Sequence, residues 1–258
     1  LTGEECINNK IISKSINDKL KGEVISEILN TMGVDVPKSI LNFISIEQTR
    51  DHKALHSYQK GNYIYSTMKS KDDLLKAKEF YNKAYAIDSM YVSAIIQLGM
   101  VEYKLGHFEK SEEMINNAIN VAKELNNTQG ESNAYNYMGI LYNGWGKHKK
   151  AVEFYKQALK IQIKLSDFLA EAKLYNNLAI CYNNLNETET ALNYFNKSIG
   201  IKMDLNEKST IGPSYIGLAN AYIQTGNLSV AAMNAKKAIA IFTSTNNIYN
   251  AGKSLLVI

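Results

Sequence analysis

The chain has 258 residues, 45% of them hydrophobic, a formal net charge of +4 and lysines spread along its length. That is enough apolar material for a substantial core. The charge shows no basic face interleaved with aromatics of the kind a nucleic-acid surface needs. No apolar run approaches the roughly 18 residues that cross a bilayer, nothing resembles a signal peptide, and only Pro37 and Pro213 interrupt the chain. These features point to an all-α protein. Cys6 and Cys181 follow no CxxC or Cys/His spacing, so neither a disulfide framework nor a zinc site is expected, and a cytoplasmic setting is the expectation. The chain begins at Leu1 and ends within an apolar periodic segment at Ile258, which reads as a fragment of a longer protein.

In chain order, residues 1–50 form a segment distinct from the rest of the chain. Ile12, Ile16, Leu20, Val24 and Ile28 recur at i, i+4 spacing, with Gly33 as a stop and Pro37 beyond, which predicts an amphipathic helix, then a break, then a shorter helix near Ile40–Ile46. A capping or linking role is expected, because the end of any helical stack exposes apolar surface.

From about residue 51 onward the chain repeats. Leu98-Gly99, Met138-Gly139, Leu178-Ala179 and Leu218-Ala219 pair a large apolar residue with a small one at a constant step of 40 residues. Tyr135, Tyr175 and Tyr215 precede the pair, Tyr142, Tyr182 and Tyr222 follow it, and Gly106, Gly146, Asn186 and Gly226 mark a turn. A second helix then carries small residues at Ser111, Ala151, Ala191 and Ala231, and again at Ala118, Ala158, Ser198 and Ala238. Ile115, Tyr155 and Phe195 lie between them, and Ala235 departs from that large-residue pattern. A divergent earlier unit fits with Gly61, Ala77, Tyr81 and Ala84, its middle four residues longer, and Asn247–Ile258 reads as the first helix of a sixth unit.

This arrangement resembles the tetratricopeptide repeat, with tyrosine or isoleucine in place of the pattern's tryptophan. The resemblance implies a right-handed superhelical solenoid of antiparallel helix pairs over residues 51–258, about five units and the start of a sixth. It implies binding of a protein or peptide and no catalysis within these residues. The surplus over the usual 34-residue period is expected in longer second helices. The stretch Ala54-Leu55-His56-Ser57-Tyr58-Gln59-Lys60-Gly61, with the helices before it, is also similar to the segment joining a TolB-like domain to such repeats in some bacterial cyclases and regulators.

First helices line the inner surface of such a stack. With the apolar pairs and tyrosines packed, the candidate groove residues are Lys104, Asn133, Asn136, Asn143, Lys173, Asn176, Asn177, Asn183, Asn184, Asn220 and Gln224. Asparagine is a poor helix former, and a side-chain amide offers both a donor and an acceptor for an extended peptide backbone. Asparagine is abundant throughout the chain, however, including Asn116, Asn117 and Asn193 on second helices, so composition accounts for part of the row. His52, His56, His107 and His148 are dispersed, and no phosphate loop or nucleophile elbow is present. No cofactor, nucleic acid or membrane partner is expected. The function expected is a protein- or peptide-binding module, regulatory within a larger protein, with a dimerisation arm of a signalling enzyme such as a nucleotide cyclase as the alternative.

Overall fold

The computed structural model describes Thr49 and residues 51–245, all but Thr49 within the unit Asp51–Ile258. The helices expected before Ile46 and after Asn247 lie outside the described residues. Ten α-helices follow one another with no strand among the described residues: α1 His52–Thr67, α2 Lys71–Ile87, α3 Val92–Lys104, α4 Phe108–Glu124, α5 Thr128–Gly144, α6 His148–Leu165, α7 Phe168–Asn184, α8 Thr188–Asp204, α9 Gly212–Gln224 and α10 Leu228–Ser244. Each odd-numbered helix packs against the next even-numbered one, making five hairpins, and each hairpin packs against its neighbour. The fold is an all-helical solenoid of antiparallel pairs.

The small residues set how closely the paired helices cross. A Cβ added at Gly139 in α5 would come within 2.5 Å of the Tyr155 ring in α6, and one at Gly61 in α1 within 2.6 Å of Tyr81 in α2. Close backbone approach with a large ring filling the gap therefore recurs in the divergent first unit. Of its four extra residues one lengthens the end of α1 and three form most of an added turn at the start of α2, where Ser70 and Asp73 complete a capping box.

From α3 to α10 a left-handed residue stands at every turn between successive helices. Gly106, Gly146 and Gly226 have φ of +84°, +75° and +74°, and Asn186 takes the same role at +62°. A second series, Asn126, Ser166 and Asn206 at φ +51°, +54° and +57°, stops the second helices. In each case the following N–H returns to the helix, as His107 N–H does to Glu102 O at 2.9 Å and Asn127 N–H to Ala122 O at 2.8 Å. The surplus residues are shared between both helices rather than confined to the second: α5 and α7 have 17 residues each, like α4 and α8. The exceptions are α3 and α9, with 13 residues each; before α9 a 3-10 turn at Lys208–Thr210, followed by Pro213 in the first turn of α9, replaces the missing length.

Candidate peptide-binding face

The first helices of successive units touch one another, α3 with α5, α5 with α7 and α7 with α9, while neighbouring second helices make no comparable approach. This puts the odd-numbered helices on the inner side of the stack. Their apolar pairs point into the core, with Leu98, Met138, Leu178 and Leu218 all buried. The polar positions between those pairs face the neighbouring first helix or solvent.

Most of the candidate asparagines are joined across units. Asn177 donates through Nδ2 to Asn136 Oδ1 at 3.1 Å, linking α7 to α5, and Ser214 Oγ donates to Asn176 Oδ1 at 2.9 Å, linking α9 to α7. Asn143 Oδ1 accepts from Asn184 Nδ2 at 3.3 Å and from the Cys181 thiol at 3.3 Å. It also lies 2.8 Å from His148 Nδ1, which, facing an acceptor, carries the proton. Gln129 Nε2 donates to Asn133 Oδ1 at 3.3 Å within α5. Each such bond contributes about 1 kcal/mol net, so the row helps to hold the units in register.

That work does not exhaust the amides. An amide side chain has two N–H donors and a carbonyl oxygen. The Asn136 Nδ2 group, the Asn176 Nδ2 group and the Asn177 Oδ1 atom have no hydrogen-bond partner among the described residues. Asn133, Asn136, Asn143, Asn176 and Asn177 are half-buried, and Lys173, Asn184, Asn220 and Gln224 are exposed. Asn183 differs: it is buried, and its Oδ1 lacks a partner. Lys104, exposed at the end of α3, lies 5.4 Å above the Tyr65 ring instead of joining the asparagines.

Two buried charges have no counterpart among the candidate residues of the sequence. Glu102 stands where later units carry Tyr142, Tyr182 and Tyr222, and it is 1% exposed. It accepts from Lys78 at 2.7 Å, His107 Nδ1 at 2.8 Å and Lys110 at 3.0 Å. Burial pushes this carboxyl up, but the hydrogen bonds from Lys78, His107 and Lys110 outweigh burial and hold it at about 2. Lys202 in α8 is 4% exposed, with its ammonium donating to Thr210 O at 3.1 Å and Ser214 Oγ at 3.3 Å. Burial, and secondarily the charge of Lys173, pushes it down to about 8. The signal for Glu102 was the broken tyrosine series. For Lys202 it was the series Ala122, Gln162, Lys202 and Phe242, in which each member is buried.

Aromatic rings fill the edge between paired helices. Tyr142 stacks on Phe154 at 5.3 Å and on Trp145 at 5.9 Å, Trp145 stacks on Phe108 at 5.4 Å, and Tyr182 stacks on Tyr194 at 5.5 Å. The ring faces thus serve packing, with Lys147 3.0 Å above Trp145. Burial pushes the Cys181 thiol up to about 12, which makes it a poor nucleophile. Among the described residues no group of three or more His, Cys, Asp or Glu is placed to hold a metal ion, and no helix is long and apolar enough to cross a membrane.

Residues 91–164, spanning α3 to α6, and 172–203, spanning α7 and α8, match the family described as Tetratricopeptide repeat. No curated protein matches the sequence. Among solved structures, the chain is similar to PH0952 from Pyrococcus horikoshii, a signal transduction ATPase with numerous domains and a tetratricopeptide repeat sensor. The TM-score is 0.69 at 16% identity, covering 79% of this chain and 32% of that one. It is similar to a Rap protein complexed with competence and sporulation factor, with TM-score 0.68, 16% identity and coverage of 97% and 72%. It is also similar to aspartyl phosphate phosphatase F from Bacillus subtilis, with TM-score 0.67, 13% identity and coverage of 98% and 72%. At these identities the likeness is one of fold. Residues 91–164 and 172–203 thus match the tetratricopeptide repeat, a non-catalytic interaction module, and the matches support a scaffold for protein partners.

Proposed function

We propose that the inner face of α3, α5, α7 and α9 binds an extended segment of a partner protein, and that occupancy of this face is what the chain reports to the rest of a larger protein. The observation that carries this reading is the unused amide groups of Asn136, Asn176 and Asn177. These half-buried residues are held in place by one bond each and still offer donors and an acceptor toward the inner side. A side chain already fixed by one hydrogen bond loses little further entropy on binding, so such groups suit recognition of a peptide backbone independently of its sequence. Asn133, Asn143, Asn183, Asn184, Asn220 and Gln224 extend the same face, and Lys104 and Lys173 give it charge. The reading needs no cofactor, takes a protein segment and not a nucleic acid or a membrane as the partner, and fits a cytoplasmic setting. The similar stack in PH0952, where it corresponds to about a third of the chain, supports a regulatory arm within a longer protein.

Peptides selected on the intact chain from a displayed random library provide the test. The double variant Asn136→Ala, Asn176→Ala is expected to bind them at least about tenfold more weakly, the loss of one to two backbone hydrogen bonds. Asn193→Ala, on the exposed side of α8, should bind them as the wild type does. Equal affinity in all three proteins, with helicity unchanged, would remove the inner row from the reading.

Self-association is a second reading, favoured by one observation. Leu125, Leu165 and Leu205, 40 residues apart, are exposed together with Ile163, Phe168 and Met203 at the ends of the second helices and the turns beyond them. A dimer built on this edge predicts a light-scattering mass that rises with concentration and falls to that of the monomer in Leu165→Lys, Phe168→Lys. A concentration-independent monomer excludes it.

A further inference from the structure

Lys202 projects from α8 into the junction of α7, α8 and α9, and its surroundings lack a negative charge. An ammonium has three N–H donors. Two of them go to neutral acceptors, Thr210 O and Ser214 Oγ, and the third has no partner among the described residues. No carboxylate lies within ion-pair distance of Lys202 among the described residues. The charge that bears on it is a second cation, Lys173 of α7. A buried charge is ordinarily paired, because removal from water is costly, and the other buried charge among the described residues, Glu102, is paired three times over.

The position of the unpaired ammonium connects it to the inner face. Ser214 Oγ, which accepts from Lys202, donates in turn to Asn176 Oδ1. Ser198 Oγ lies 3.3 Å from Ser214 Oγ and completes a polar chain from α8 through α9 to α7. Asn176 and Lys173 are one turn apart on α7. An anion seated between Lys173 and the Asn176 Nδ2 group would meet one exposed cation and a free amide donor, with the buried Lys202 ammonium linked to it through Ser214 and Asn176.

We infer that Lys173, Asn176 and Lys202 form an anion-binding site that receives a carboxylate or phosphate group of the bound segment. The origin of that anion rests on the segment-binding reading above; the site itself does not. The 3-10 turn at Lys208–Thr210 is part of its construction. The shortened α9 brings the Thr210 carbonyl over the ammonium and leaves Ser214 free to bridge it to Asn176.

Free anions test the site without any peptide. The melting temperature of the intact chain is measured against increasing inorganic phosphate and, separately, acetate, with chloride at matched ionic strength as the reference. At about ten times the dissociation constant, the better anion should raise it by about 3 to 5 °C, saturably. Lys202→Met and the exposed-residue variant Lys173→Ala should each lose most of that saturable rise while keeping the unsaturable drift that excluded salts cause in any protein. Stronger stabilisation by acetate identifies a carboxylate from the segment, and stronger stabilisation by phosphate a phosphorylated residue. Absence of a saturable rise in the wild type, or the same rise in both variants, overturns the inference. Because no peptide is present, that failure would leave the peptide-capture experiment standing, and failure of peptide capture would leave the anion titration standing.

Discussion

The two ends of the described stack each bury a charge, and they treat it in opposite ways. At the α2–α3–α4 junction Glu102 meets Lys78, Lys110 and His107, all within 3.0 Å, so its charge is more than balanced and its oxygens are occupied. At the α7–α8–α9 junction Lys202 meets only neutral oxygens and lies near another lysine. A compensated buried charge clips elements together, whereas an uncompensated one stores unfavourable free energy that an incoming group can release. The first junction is built for stability and the second for binding.

The largest effect that could break this contrast comes from Glu102→Ala. Holding that carboxyl at about 2 against an ordinary 4.5 corresponds to about 3 kcal/mol of stabilisation at neutral pH. The variant should lose roughly that amount in urea denaturation, and a loss under about 1 kcal/mol would mean that the cluster holds little. The pH dependence should separate the two junctions by sign. A depressed carboxyl contributes stability that is present above 4.5 and lost as pH falls toward 2. Lys202, also depressed, carries its full penalty below about 8 and is relieved as pH rises toward 10.5, with Lys173 as the charge that bears on it and Ser198, Ser214 and Thr210 as its neutral neighbours. The gap in melting temperature between wild type and Lys202→Met should therefore narrow from pH 7 to pH 9.5, and a constant gap would contradict the assignment.

Smaller changes sharpen the comparison. Lys202→Met in the absence of added anion should stabilise the chain by about 1 to 2 kcal/mol at pH 7, since an apolar side chain of similar length removes the buried charge. Destabilisation on chemical denaturation would show that the ammonium's two hydrogen bonds outweigh its burial. Asn136→Ala with Asn176→Ala should cost a comparable amount, about 1 kcal/mol for each of the two inter-unit bonds removed, while peptide capture falls at least tenfold. A large stability loss with intact capture would make the row structural only.

Much of the fold was legible because the constraints on it repeat. Gly139 must be small because Tyr155 occupies the space of its side chain, and the same requirement recurs 40 residues apart along the chain. Asn186 can replace glycine in the turn series because asparagine tolerates a left-handed backbone. The matching series at Asn126, Ser166 and Asn206 was equally present in the sequence, and it explains why the extra length is divided between both helices. The candidate face was legible as a set of positions but not as a network. The 41 residues between Asn136 and Asn177 say only that they occupy neighbouring units, whereas their contact depends on how closely α5 and α7 approach. Lys202 was harder still. Lysine ordinarily lies outside, and only the 3-10 turn that shortens α9 brings a carbonyl over it, a feature that breaks the period and therefore gives no repeating signal.

Amide hydrogen exchange of the chain, with and without a selected peptide, tests the central claim most directly. The account predicts that the peptide slows exchange in α3, α5, α7 and α9, the helices of the inner side, and leaves α4, α6 and α8 nearly unchanged. Protection concentrated in the second helices, or at the exposed edge of Leu125, Leu165 and Leu205, would contradict it.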